Sequence, residues 1–411
     1  MTGRTRPELR VASVGGAAPT FPARKFEPLL KRGLDITLFL YRQCTYPPER
    51  AALARYPSRV KYLRKKTSIW RSTIELGGGL LRKGLTSPGK TSKLIAAIFA
   101  RHGLSRKAGG CLRRLLPYFG EGFDIVHLED GWLAQELLDL ILLKKALGVK
   151  VIVSFRGADL FVNSLFNADT CKTLLQVSDD VHFVSEALML RARELGLSES
   201  RGRVILPGVD PAVFDRGCIP YPPPKDGTGS ALRLLSVGRL DWGKGYEYGL
   251  KAASIVAQRG VKLRYDIVGG GTLRDALRYA VWQMGLEGAV QFHGDLPRDK
   301  ILPLLRQTDI YLQSSVREGL PNTVLEAQSF KVPVVCTDAG GTAEALEEGV
   351  TGFVVPTRDP QALADRICEL AGDEDLRVRM GAQGRKRVLA GFTLEQQAAR
   401  FLEFYKEVAN R

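Results

Sequence analysis

Residues that bind soft metals are scarce in this 411-residue chain, which has six cysteines and four histidines. Cys44, Cys111, Cys171, Cys218, Cys336 and Cys368 are scattered, with no CxxC pair. That pattern excludes a local zinc motif and a disulfide framework, and it fits a reducing cytoplasm. His102, His127, His182 and His293 are too far apart in sequence to form a local ligand motif, so no bound metal is expected. Long apolar runs are missing too. No stretch approaches the roughly 18 uncharged apolar residues that suggest a membrane span. The opening "MTGRTRPELRVASVGG" enters a strand-like run at once, without the apolar core and cleavage site of a signal peptide. The expectation is a cytoplasmic protein.

Acid is scarce in one part of the chain only. Residues 1–120 carry 25 Lys and Arg against 5 Asp and Glu, while the remainder carries 35 against 39. The net charge of +16 therefore originates in the first part, which suggests an anionic partner there. The excess is concentrated in residues 46–114, whose sequence reads as basic, partly amphipathic helices. Tyr62, Leu63, Ile69 and Trp70 sit among the cations, as in a helix lying on an anionic membrane. A solvated helical face accounts for the same pattern. Nucleic acid is disfavoured, because no nucleic-acid motif appears.

Apolar content of 45% and charged content of 25% are ordinary for a globular protein, and the length predicts two domains. "LRVASVGG", a helix-like "FPARKFEPLLKRG" and "LDITLFLY" open an α/β unit. "FDIVHLED", "VKVIVSFRG", "DDVHFVS" and "RVILPGV" supply further strands. "GCIPYPPPKDGTGS", residues 217–230, reads as a linker because its prolines and glycines forbid regular structure. A second alternating series follows, from "ALRLLSVGRL" to "PQALADRICELAG", and "TLEQQAARFLEFYKEVANR" reads as a last helix. The division expected is 1–216, a linker over 217–230, 231–392, and a helix over 393–411 that returns to the first domain. The fold class is α/β with two mostly parallel sheets.

Parallel sheets bind ligands beyond the carboxyl ends of their strands. After "RLLSVG" comes "RLDWGKG", where Arg239 and Lys244 can neutralise a diphosphate. After "RYDIVG" come glycines that open a helix, a weaker phosphate signal. After "YLQSS" comes "VREGLPNTVLE". Pro321 suits a first helical turn, and the free N–H groups near Gly319 to Asn322 attract anions. Glu318 precedes this mouth, and Glu326 lies about 8 Å along the helix from Pro321. Carboxylates on either side of an anion site suit hydroxyls on either side of a diphosphate, which is the layout of a nucleotide sugar. A loop cap and an exposed helix residue are the plainer alternatives.

"VGRLDWGKG", "IVGGG", "FHGDL", "REGLPNTVLEA" and "GGTAEALEEGVTGFVVP" resemble the donor domain of the GT4 family of retaining glycosyltransferases, over roughly residues 231–372. "VHFVSEAL" and "LPGVDPAVF" are less sharply similar. The resemblance implies the GT-B fold, two Rossmann-like doubly wound domains facing an interdomain cleft. It implies a UDP- or GDP-sugar donor, a glycan or lipid-linked acceptor, and no metal or other cofactor. It places Arg239 and Lys244 on the donor diphosphate, Glu318 on the donor sugar, Glu326 on the ribose, and the loop from His293 and Gly294 to Leu296 near the base. Gly269, Gly270, Gly319, Leu320, Asn322 and Thr323 complete the donor set, with Glu318, Lys244 and Arg239 as the catalytic group. Gly15 and Gly16 resemble the family's first glycine loop. "VSFRGADL" carries Arg156 where relatives often have histidine, with Gly157 and Asp159 kept. Arg156, Asp159 and His127 are the acceptor-side candidates; Arg156 as plain surface and His127 as a buried, backbone-bonded residue stand beside that reading. The expected activity is sugar transfer in bacterial envelope or exopolysaccharide synthesis, at the inner face of the cell membrane. A nucleotide-sugar 2-epimerase and an inactive nucleotide-sugar-binding module are the alternatives.

Overall fold

The computed structural model describes residues 9–15, 20–41, 47–63, 88–103, 105–115, 117–118, 121–142, 144–161, 168–210 and 231–411. The expected linker, Gly16, and residues 64–87 with Ile69 and Trp70 lie outside these. The chain divides into two compact units. The first comprises Met1–Phe183, Met189–Ile205 and Ala398–Arg411, and the second Val184–Leu188 and Leu206–Gln397.

The first unit is built on strands β1 (Arg10–Gly15), β2 (Asp35–Leu40), β3 (Val60–Tyr62), β4 (Ile125–Leu128), β5 (Lys150–Phe155), β6 (Asp180–Phe183) and β7 (Arg203–Val204). They form one sheet in the order β3-β2-β1-β4-β5-β6-β7, and every pairing is parallel. Nearly every residue of β1, β2, β4, β5 and β6 is buried, as strands covered on both faces require. The stretch "ERAALARYPSRVKYL" was expected to be helical. It forms a helix over Pro47–Ala54 and then β3, because Pro57 cannot extend the helix and Val60 to Tyr62 pair with Leu38 to Leu40. Phe401, Phe404 and Tyr405, on the terminal helix Leu394–Asn410, are buried against Val11, Phe26, Ile125 and Ile152.

The second unit holds β8 (Leu232–Val237), β9 (Leu263–Val268), β10 (Val290–Gly294), β11 (Ile310–Gln313), β12 (Val334–Thr337) and β13 (Gly352–Val355). Their order is β10-β9-β8-β11-β12-β13, again all parallel. The helices Tyr246–Gln258 and Pro360–Gly372 close the core with Leu250, Ala253, Leu363 and Ile367. The helix Glu374–Gly391 follows, its apolar period weakened by Gly381, Gly384 and a basic face. Asp373 caps it, accepting from the Leu376 N–H at 2.7 Å. "GGTAEA" forms a 3₁₀ turn over Gly340–Ala345.

In both sheets the strand order reverses at the centre, between β1 and β4 and between β8 and β11. Connections leave in opposite directions there, so loops part and a crevice opens at the carboxyl ends.

The packing of Phe401 gives a stability prediction. Phe401→Ala removes a fully buried ring and leaves a cavity, at a cost of about 3–5 kcal/mol. Chemical denaturation would show this as a lower midpoint; an unchanged midpoint would mean that this helix does not stabilise the first unit.

Candidate active site

The loop after β8 is shaped by Asp241. Its carboxylate accepts from the Gly243 N–H at 3.0 Å and starts a 3₁₀ turn over Trp242–Lys244. Gly245 ends the turn at φ +56, and a Cβ there would lie 2.3 Å from the Ser314 carbonyl oxygen. The Gly243 carbonyl accepts from the N–H groups of Val316 (2.9 Å) and Arg317 (3.2 Å), which ties this loop to the one after β11. Arg239 and Lys244 are thereby held at the mouth of the switch point. Arg239 is 77% exposed and meets Asp241 at 3.2 Å. Exposure leaves this guanidinium able to reorient toward a ligand.

Lys244 Nζ meets Glu318 Oε1 at 2.5 Å. The same oxygen accepts from Gln313 Nε2 and Ser315 Oγ, each at 2.9 Å. Pro321 then leads into the helix Asn322–Ser329, whose first N–H groups have no side-chain cap. Tyr311 lies in β11 below this mouth, its hydroxyl bonded to Thr323 and Val237. Burial foremost pushes that phenol well above its ordinary range, and the charges of Glu326 and Glu318 add to the shift. Glu326 is buried and pairs with Arg298 at 3.1 Å. The structure therefore brings Lys244 and Glu318 into contact, while Glu326 is held in the helix by Arg298.

The remaining donor-side residues are fixed by local contacts of their own. His293 Nε2 lies 2.6 Å from Asp266 Oδ1, and Leu296 is half-buried beyond it. Gly319 and Leu320 are buried beneath the loop, with Asn322 and Thr323 half-exposed at the helix mouth. The glycines after β9 serve close packing. A Cβ on Gly269, at φ +137, would lie 1.9 Å from the Gly238 carbonyl oxygen. Their N–H groups are occupied: Gly269 donates to the Gly294 carbonyl at 2.8 Å, and Gly270 to Asp295 at 2.7 Å. Tyr311, Gln313, Ser315 and Arg298 were not singled out from the sequence. The available signal was the polar run Gln313-Ser314-Ser315 at the end of an otherwise apolar strand.

Of the acceptor-side candidates, Arg156 and Asp159 follow β5 while His127 lies within β4, not after it, and all three adjoin a buried charge cluster. Lys25 Nζ meets Glu129 Oε1 at 2.7 Å, both side chains being 2% exposed. Ser13 donates to the same oxygen at 2.5 Å, and Arg156 meets Glu129 Oε2 at 2.8 Å. Burial would raise the Glu129 carboxyl, but His127, Lys25 and Arg156 around it prevail and hold it far below its ordinary range. Burial lowers Lys25 to about 8, against the pull of Glu129. His127 is fully buried: Nδ1 lies 2.7 Å from the Tyr405 hydroxyl and Nε2 2.7 Å from Ser154 Oγ. It is a buried, bonded histidine, although its partners are side chains. Asp159 accepts from the N–H groups of Gly131 (3.0 Å) and Gly157 (2.9 Å) and shapes the turn below Arg156. Gly15 closes β1 as a buried residue.

Among the described residues His102, Cys111 and Asp139 converge closely enough to share a cation. The donor set fits one poorly. Asp139 is already paired with Arg101 and Arg114, and burial foremost raises the Cys111 thiol to about 12.

With this geometry in place, comparison with known proteins is direct. Residues 228–387 match the family model described as glycosyl transferases group 1. The chain is 28% identical over 298 residues to the putative colanic acid biosynthesis glycosyltransferase WcaL of Salmonella typhimurium, covering 70% of each chain. It is 28% identical to the amylovoran biosynthesis glycosyltransferase AmsK of Erwinia amylovora, covering 63% of each. Its fold is similar to a glycosyltransferase from Rickettsia africae, with a TM-score of 0.69 at 19% identity over 98% of this chain and 99% of the other. Anabaena Alr3699/HepE, crystallised with UDP, gives a TM-score of 0.69 at 15% identity over 97% and 100%. The two tandem parallel α/β units are the GT-B fold, and the stretch that matches the glycosyl transferases group 1 model lies almost wholly in the second unit.

The buried histidines predict a pH dependence of stability. His182 is lowered to about 3, by burial first and then by Arg156, and burial lowers His127 well below 6.5. Below pH 6.5 the unfolded chain then binds protons that the folded chain does not, so stability falls as pH falls. His182→Gln should flatten the loss of denaturation free energy between about pH 7 and 5. Equal slopes for wild type and variant would contradict the assignment.

Proposed function

We propose that the chain transfers a sugar from a nucleoside-diphosphate sugar to a hydroxyl of a glycan or lipid-linked acceptor, with retention at the anomeric carbon. One observation carries this reading. At the β8/β11 switch point a lysine and an exposed arginine share one loop, joined through Glu318 to the loop that leads into an uncapped helix carrying Glu326. This order of charges suits sugar, diphosphate and ribose in a row. The matched family and the relatives named for colanic acid and amylovoran synthesis support envelope or exopolysaccharide chemistry. HepE has also been crystallised with UDP-glucose, which supports a nucleotide-sugar donor of that kind.

In this reading Lys244 exchanges Glu318 for the diphosphate. Arg239 swings from Asp241, and the first N–H groups of Asn322–Ser329 complete the anion site. The bond from the anomeric carbon to the diphosphate oxygen breaks as the acceptor oxygen bonds on the same face. The acceptor proton passes to a leaving-group oxygen. Charge developing on that oxygen is stabilised by Lys244, Arg239 and the helix dipole, the effect that lowers the barrier most. Glu318 holds hydroxyls of the sugar, and Glu326 those of the ribose. Arg156, fixed by Glu129, serves the acceptor side. No step requires a metal.

Lys244→Ala should lower turnover by about a hundredfold or more. Undiminished turnover would remove this loop from the reaction centre. Nucleotide release from UDP- and GDP-sugars separates the alternatives. Release only with acceptor marks a transferase, UDP with a C2-inverted sugar marks an epimerase, and silence with tight binding marks a binding module.

The basic segment 46–114 is the proposed contact with an anionic membrane. Tyr62 and Phe99 are 46% and 42% exposed within it, and no helix of the described residues is long and apolar enough to cross a membrane. Sedimentation at low salt should recover the chain with anionic vesicles and not with neutral ones. Equal recovery with both, or none with either, would exclude this contact.

A further inference from the structure

We propose that Gln313 and Ser315 are positioning residues that hold Glu318 by one oxygen and aim the other at the hydroxyls of the bound sugar. The inference rests on Glu318 being a donor-sugar ligand and names what keeps it one.

Three donors converge on Glu318 Oε1: Lys244 at 2.5 Å, and Gln313 and Ser315 at 2.9 Å each. Among the described residues no hydrogen bond reaches Oε2. The carboxylate is thus gripped on one side only, and the side chain is 10% exposed. The grip must survive ligand binding. Once Lys244 turns to a diphosphate, Glu318 loses its ionic partner, and a nearly buried carboxylate without donors is costly. Gln313 and Ser315 carry no charge that a phosphate could attract, so they remain with the acid.

Both residues are rigidly placed. Gln313 is 5% exposed and Ser315 is fully buried. Gln313 Nε2 donates to Ser315 Oγ at 2.7 Å as well as to Glu318. Its Oε1 lies 3.1 Å from the Tyr311 hydroxyl, which fixes the amide with its nitrogen toward the acid. Tyr311 is anchored on Val237 of β8 at 3.3 Å, and Thr337 of β12 donates to the Ser315 carbonyl at 2.5 Å. Three adjacent strand ends therefore aim the carboxylate. Such a network also explains a buried polar run at the end of β11, where an apolar one would fold as well.

The test compares binding of UDP with UDP-glucose, and of GDP with GDP-mannose, by calorimetry. Gln313→Leu and Ser315→Ala should each weaken the nucleotide sugar about tenfold and leave the bare diphosphate within about twofold. Ser315→Thr, which keeps the hydroxyl, should restore the sugar increment. Equal loss of both ligands would show mere structural damage and overturn the proposal, as would unchanged affinity for both. Glu318→Gln separates the two levels. If it weakens the nucleotide sugar while Gln313→Leu and Ser315→Ala do not, positioning is wrong and the sugar role of Glu318 stands. If Glu318→Gln leaves the nucleotide sugar untouched, or the wild type binds none of the four ligands, both fall.

Discussion

Lys244 and Glu318 meet at 2.5 Å, and the second unit is arranged around the placement of that pair. Neither residue lies in regular α or β structure. One ends a 3₁₀ turn after β8 and the other stands in the loop after β11. They meet because β8 and β11 are neighbours at the point where strand order reverses, and because the Gly243 carbonyl stitches the two loops together. A chain with the same two residues on non-adjacent strands would hold two isolated charges. Here the fold converts them into a cation and an anion with a shared position, ready to separate onto different parts of one ligand.

The two units use charge differently. In the first, Lys25, Glu129 and Arg156 are sunk among β1, β4, β5 and the terminal helix, with Phe401 under the Lys25 ammonium at 3.8 Å. Breaking such a pair strands a buried charge, so the cluster fixes which surfaces meet more than it adds net stability. In the second unit Lys244 and Glu318 keep 22% and 10% of their side chains exposed, so that a ligand can replace one partner by another. The same forces make a structural clamp in one place and an exchangeable contact in the other. Burial decides which.

Legibility in the sequence followed the same division. The strands β1, β2, β4, β5, β8 and β9 are apolar runs with glycine at or near their ends, and their periodicity exposes them directly. Arg239, Lys244 and Glu318 are singled out by sequence because loops after parallel strands carry ligand chemistry, and Glu326 by its place in the helix that follows. β3 was hidden in a basic stretch, since its three residues become a strand only by pairing with β2. Gln313 and Ser315 were hidden for another reason. Within β11 and its end they read as strand, and only coordinates show that both point at one carboxylate oxygen. His127 shows the converse: it was an acceptor-side candidate, yet it lies within β4, and its Nδ1 meets Tyr405 of the terminal helix, distant in sequence.

The most direct measurement is a crystal structure of the chain with a bound nucleotide sugar. Lys244 should lie on the diphosphate at the mouth of Asn322–Ser329, and Glu318 should turn to a sugar hydroxyl. A diphosphate bound elsewhere, with Lys244 and Glu318 still paired, would contradict this arrangement.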